Sequence, residues 1–131
     1  MIKILIVENL EKLSARYKEN ILCAFYGQIT VDIATNSTEA LERVRHGAVY
    51  DIIVIDMQMP LISGIALGQA LRKLGFSNLL IAHTALGIQE AKKAMVQGQM
   101  NGFSLKSATG RGLLKILQHY RRYTPPQALA A

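Results

Sequence analysis

The sequence predicts a doubly wound α/β fold, five βα units whose parallel sheet lies between helices on both faces. Three observations carry this. Ile4-Leu5-Ile6-Val7, Ile52-Ile53-Val54-Ile55 and Leu79-Leu80-Ile81-Ala82 are continuously apolar, as strands covered on both faces must be. Longer segments between them are apolar at i, i+3 and i+4, the period of an amphipathic helix. The chain has 131 residues, 50% of them hydrophobic and 18% charged. That suits one globular domain, able to bury roughly two-thirds of its unfolded surface.

Taken in order, the first strand is expected at Lys3–Val7 and is followed by a stripe of Leu10, Leu13, Tyr17 and Ile21. The second strand, Ile29–Ala34, leads to a helix starting near Ser37 with Ala40, Leu41 and Val44 inward. Strand three, Asp51–Ile55, precedes Leu67, Ala70, Leu71 and Leu74, with Gly75 as a helix stop. Strand four, Leu79–Ala82, precedes a shorter stripe of Ala91, Ala94 and Met95 that ends at Gly98. Gly102–Leu105 and the stripe Leu113, Ile116, Leu117 and Tyr120 close the series. Right-handed crossovers join the units. One domain is expected over residues 1–123, with the proline-containing stretch 124–131 as a tail or linker stub.

Several classes are disfavoured by composition. A lone Cys23 excludes a disulfide framework within the chain. No apolar run nears the ~18 residues of a membrane helix, and the apolar N-terminus is interrupted at Glu8 too early for a signal peptide. A cytoplasmic protein without membrane insertion is expected. Fifteen Lys/Arg against nine Asp/Glu give a net charge of +6, which favours anionic partners. The basic residues are scattered pairs such as Arg72-Lys73 and Lys92-Lys93, without interleaved aromatics. Direct nucleic-acid binding is therefore not predicted, and the pairs read as solvated helix faces.

In open parallel sheets ligands bind beyond the carboxyl ends of the strands. There stand Glu8-Asn9 after strand one, Asp56 after strand three, His83-Thr84-Ala85 after strand four and Lys106 after strand five. Each has an ordinary alternative: Glu8 or Thr84 could cap a following helix, and Lys106 could be a surface lysine. Asp56 ends a fully apolar run, where an unpaired charge would be costly. Together the set has a specific chemistry. Carboxylate and amide oxygens suit a hard cation such as Mg2+; a carboxylate can be a nucleophile that forms an aspartyl phosphate; and a hydroxyl and an ammonium can neutralise the oxygens of a transferred phosphoryl group.

At these residues the chain resembles the receiver domains of two-component response regulators, which share a flavodoxin-like fold. The matching stretches are Ile4-Leu5-Ile6-Val7-Glu8-Asn9, Asp56-Met57-Gln58-Met59-Pro60-Leu61-Ile62-Ser63-Gly64, His83-Thr84-Ala85 and Gly102-Phe103-Ser104-Leu105-Lys106. The resemblance implies a strand order of 2-1-3-4-5. It implies that Asp56 accepts a phosphoryl group from a phosphohistidine of a histidine kinase or histidine phosphotransfer domain. Glu8, Asn9, Asp56 and the Gln58 backbone carbonyl would hold Mg2+, while Lys106 would contact the phosphoryl group. Thr84 would swing toward it, and Phe103 would turn inward as the switch aromatic, unless it is simply core. The output domain or protein partner would read the fourth helix, fifth strand and fifth helix. Such a domain catalyses its own phosphorylation and dephosphorylation but is not a turnover enzyme, and it occurs alone or within a hybrid histidine kinase.

The chain departs from that pattern at several points. Asn9 replaces a second acidic residue, which removes one negative charge from the metal site. Ser107 stands where a proline is usual, which puts the usual cis peptide in doubt, a non-proline cis bond costing ~3 kcal/mol. Ser63 replaces a frequent Asp in a turn. Met57 and Met59 are expected to pack rather than ligate. His83 reads as a strand-end side chain with a local hydrogen bond, the alternative being a modulating role at the phosphoryl site. A pseudo-receiver that binds partners without phosphotransfer is the rival favoured by Asn9 and Ser107. A flavin binder of like topology would need a phosphate-cradling loop after strand one, where Glu8-Asn9-Leu10-Glu11-Lys12 would repel phosphate. A hydrolase would need a Gly-x-Ser-x-Gly elbow, which the sequence lacks.

Overall fold

A computed structural model describes residues 1–26, 28–59, 62–107 and 110–121. Ten elements alternate along the chain: β1 (Ile2–Val7), α1 (Glu11–Ala24), β2 (Ile29–Ala34), α2 (Ser37–Arg45), β3 (Ile52–Asp56), α3 (Gly64–Lys73), β4 (Leu79–Thr84), α4 (Ile88–Gln97), β5 (Gly102–Leu105) and α5 (Arg111–Arg121). The strands form one parallel sheet of order β2-β1-β3-β4-β5. The proposed tail, 124–131, lies outside the described residues.

Alternation along the strands divides the core in two. Ile4, Ile6, Val31, Val54 and Ile81 face α1 and α5, where Tyr17, Ile21, Phe25, Leu113 and Leu117 cover them. Leu5, Val7, Ile53, Ile55, Leu80 and Ala82 face the opposite layer, packed by Ala40, Leu67, Leu71 and Met95. Continuing the same alternation, Asp56 and His83 follow Val54 and Ile81 onto the α1/α5 face, and Thr84 follows Ala82 onto the other. The sheet therefore sorts the site residues before any loop does.

Several element ends differ from the sequence expectation. Strands β3 and β4 include Asp56, His83 and Thr84, because ladder pairing continues past the last apolar residue: Asp56 pairs with His83 and Thr84 with Leu105. Leu10 is not part of the α1 stripe but its N-cap, 53% exposed. Leu74, counted with the α3 stripe, is the exposed C-cap. Gly75 does take the left-handed conformation after α3 (φ +98°), whereas after α4 Gln99 takes it (φ +56°) and Gly98 does not. A Cβ at Gly98 would meet the movable end of Met100 at 2.7 Å and the Ala94 carbonyl oxygen at 3.0 Å.

Arg72 is not a solvated helix residue. Its guanidinium donates to the carbonyls of Gln99 (2.9 Å), Phe76 (2.9 Å) and Asn78 (2.7 Å) and to Asn101 Oδ1 (2.7 Å). Asn101 Oδ1 also accepts the Leu80 N–H at 2.9 Å. Arg72 thus ties the end of α3 to the starts of β4 and β5, at the rim opposite the predicted site.

Candidate functional site

The carboxyl ends of β1, β3, β4 and β5 bring Glu8, Asp56, Thr84 and Lys106 to one rim. The backbone sets each of them. Glu8 N–H extends the β1–β2 ladder to the Ala34 carbonyl (3.0 Å), and Lys106 N–H reaches the Thr84 carbonyl (2.7 Å). Gly64 begins α3 directly against the strand carrying Asp56: a Cβ there would meet the Asp56 carbonyl oxygen and Met57 Cα at 2.8 Å. Only glycine permits that approach. Ser63, the residue before it, caps α3 by accepting the Ala66 N–H at 3.2 Å. Met59 is buried and Met57 half-buried against the same core, so both methionines pack.

The charged centre consists of two carboxylates and one ammonium, all withdrawn from solvent. Glu8 and Asp56 are 1% and 2% exposed. Lys106 Nζ lies 2.8 Å from Asp56 Oδ1 and 3.5 Å from Glu8 Oε2. Asp56 Oδ1 also accepts the Gln58 N–H at 3.0 Å. Burial, and then the neighbouring Asp56 charge, push the Glu8 carboxyl above its usual range despite Lys106. Burial pulls the Lys106 ammonium down, but the hydrogen bond and charge of Asp56, with Glu8 beyond, outweigh it and raise its pKa. Glu8 Oε2 is buried with no hydrogen-bond partner.

That orphaned oxygen, beside a second carboxylate, fits a hard divalent cation. Among the described residues no three His, Cys, Asp or Glu side chains gather to hold a metal. A cation here would need neutral oxygens as well, which is the part expected of the Asn9 amide and Gln58 carbonyl. Both residues are exposed at the mouth of the site.

Thr84 is 1% exposed and does not cap α4, whose N-cap is Gly87. Its hydroxyl oxygen accepts the Leu86 N–H at 3.1 Å, within its own loop. Phe103 is half-buried and packs on the core opposite α1 and α5. No cis peptide occurs among the described residues, Lys106–Ser107 included. No helix among them is long and apolar enough to cross a membrane.

His83 departs from expectation. Its hydrogen bond is not local: Nδ1 lies 2.7 Å from Ser104 Oγ on the next strand, and both side chains are buried. The Tyr17 ring stands edge-on to the imidazole at 5.2 Å. Burial, then the Lys106 charge, lower the His83 pKa from 6.5 to about 4. The sequence assigns Ser104 no role of its own, because only strand register places it beside His83. Tyr17 was visible there only as a member of the α1 stripe.

Comparison with known proteins agrees with this geometry. The model of the response regulator receiver domain matches residues 4–118. Two-component response regulator 24 of Arabidopsis thaliana is 33% identical over 70% of this chain, which covers 66% of that protein's length. Two-component response regulator ORR41 of Oryza sativa is 30% identical over 92% of this chain and 95% of its own. The receiver domain of the Francisella response regulator 1452 superposes with a TM-score of 0.77, at 24% identity, over 95% of this chain and 100% of its own. With a match over most of its length and the same five-stranded order, the chain belongs to the response regulator receiver domain family.

Proposed function

We propose that the chain is a phosphoacceptor. A carboxylate oxygen of Asp56 attacks the phosphorus of a phosphohistidine on a histidine kinase or histidine phosphotransfer domain. The P–N bond breaks, the electron pair and a proton return to the donor imidazole, and Asp56 carries an acyl phosphate. The observation that supports this most is the balance of the site: a buried Asp56 shares one ammonium at 2.8 Å with a second buried carboxylate, whose Oε2 lies 3.5 Å from that ammonium and makes no hydrogen bond.

Glu8, Asp56, Asn9 and the Gln58 carbonyl would hold Mg2+, which when bound supplies the positive charge that offsets the phosphoryl oxygens. Lys106 already stands at the nucleophile and would shift its ammonium to the transferred group. Thr84 would exchange its Leu86 contact for a phosphoryl oxygen. Only the phosphorylated state offers it that contact, so phosphorylation biases an existing equilibrium. Phe103, on the same face as Thr84, would follow and change the surface read by an output partner in the cytoplasm. The test is borohydride reduction after incubation with acetyl phosphate and Mg2+. Reduction of an acyl phosphate converts residue 56 to homoserine, and peptide mass spectrometry should find it there. An unmodified residue 56 would reject the proposal.

One observation favours a second reading, a pseudo-receiver that binds partners without phosphotransfer. Asn9 leaves the site with two acidic groups where the family pattern has three, and its side chain is exposed. Retention of an unphosphorylated partner complex by an Asp56→Ala variant would support it.

A further inference from the structure

Below the charged centre a row of polar side chains crosses three strands on one face of the sheet. Asp56 on β3 is in register with His83 on β4, and His83 with Ser104 on β5. Lower on that face the sheet presents Val54, Ile81 and Leu79, all buried and apolar. His83 and Ser104 are 2% and 5% exposed, in the last core layer before the rim. Such polar groups cost free energy unless bonded, and these bond each other at 2.7 Å. The bond is incomplete payment, since His83 Nε2 is buried without a hydrogen-bond partner. Two apolar side chains would fill the layer without leaving that nitrogen orphaned. The pair therefore needs a reason beyond packing.

Its position supplies one. Thr84 directly follows His83, Phe103 directly precedes Ser104, and Lys106 stands two residues beyond Ser104. The pair thus joins β4 to β5 between every site residue those strands carry. Beyond it the ladder continues through Thr84 paired with Leu105 and the Lys106 N–H bond to the Thr84 carbonyl (2.7 Å). A directional side-chain bond fixes strand spacing more tightly than non-directional apolar contact does. Tyr17 from α1 stands edge-on to the imidazole, so the ring is held from the helix side as well.

We propose that His83 and Ser104 are positioning residues, a buried cross-strand clamp that holds Lys106 at Asp56. The proposal rests on the phosphoacceptor reading for its kinetic consequence, but its structural claim is independent of it. The imidazole acts as a neutral bonded group; Ser104 can donate to Nδ1 or accept from it, and in either tautomer the clamp persists.

The test compares Ser104→Ala, which removes the bond, with Ser104→Thr, which keeps the hydroxyl, each alone and combined with Lys106→Ala. Phosphorylation by acetyl phosphate is followed by intact mass at saturating Mg2+, and the Lys106 ammonium by 15N-edited NMR. Ser104→Ala should slow the maximal rate about fivefold with the half-saturating acetyl phosphate concentration unchanged, and should shift the Lys106 resonance. Ser104→Thr should restore both. In the Lys106→Ala background Ser104→Ala should have less than a twofold effect, because the clamp acts through that lysine. Equal slowing in both backgrounds, or an unmoved Lys106 resonance, would overturn the proposal. If the wild type takes up no phosphoryl group, the phosphoacceptor reading falls, and the resonance alone decides the clamp.

Discussion

A cation ties the amino ends of β4 and β5, a second one beyond the carboxyl end of β5 reaches across to β1 and β3, and the two live in opposite circumstances. At the amino ends Arg72 meets neutral oxygens: three backbone carbonyls and Asn101 Oδ1, all within 2.9 Å. At the carboxyl ends Lys106 is divided between two buried carboxylates, and Glu8 Oε2, 3.5 Å from the ammonium, makes no hydrogen bond. The first arrangement engages all three guanidinium nitrogens with neutral oxygens. The second has excess negative charge and an unmet acceptor, so it gains from any positive group that enters. Satisfied polar clusters hold a fold, whereas unsatisfied ones wait for chemistry.

The largest expected effect breaks the satisfied end. Arg72→Ala removes four hydrogen bonds and should cost about 4 kcal/mol, at roughly 1 kcal/mol for each. Urea denaturation should show a lower midpoint with an unchanged slope. A loss under about 1 kcal/mol would erase the contrast between the two ends.

Next comes acid, acting at the site end. The folded His83 pKa of about 4 lies below its usual 6.5, so the unfolded chain binds the extra proton between those values. Its contribution is complete above pH 6.5 and is lost as pH falls toward 4, about 3 kcal/mol in total. Glu8 acts in the opposite sense, since its folded pKa is raised: its contribution is present at low pH and lost as pH rises. Stability of the wild type minus that of His83→Leu, measured without divalent metal from pH 7 to pH 4.5, should therefore fall. A flat difference would place the imidazole in a wetter setting than the structure gives it.

A smaller effect of opposite sign sharpens the comparison. Asp56→Asn keeps an oxygen for Lys106 and Gln58 but removes one of two adjacent buried charges. It should stabilise the apoprotein by about 1 kcal/mol and abolish the stabilisation expected from Mg2+ in the wild type. Thermal denaturation with and without Mg2+ reads both. Helix α3 links the two ends, since it starts at the site with Ser63 and finishes at Arg72. Ser63→Ala should cost about 1 kcal/mol through the lost cap, readable by the same melts.

Much of this was visible in the chain itself, for a physical reason. Ile52-Ile53-Val54-Ile55 is apolar because it is covered on both faces, and that pattern is local. Asp56, Thr84 and Lys106 were recognisable because each interrupts or ends such a run. What escaped depends on pairing between distant segments. Arg72 looked like any helix arginine until the starts of β4 and β5 were brought to it. Ser104 became meaningful only once register put it beside His83, 21 positions earlier in the sequence. The strands run on to Asp56 and Thr84 because polarity stops a hydrophobic pattern but not a backbone ladder.

Phosphoryl uptake at Asp56 is the chemistry expected of the unsatisfied end. Its most direct test is the intact mass of the wild type and Asp56→Ala after incubation with a small-molecule phosphodonor, with and without Mg2+. The account predicts a gain of one phosphoryl group that requires both Mg2+ and Asp56. No gain at any Mg2+ concentration, or an equal gain in Asp56→Ala, would contradict it.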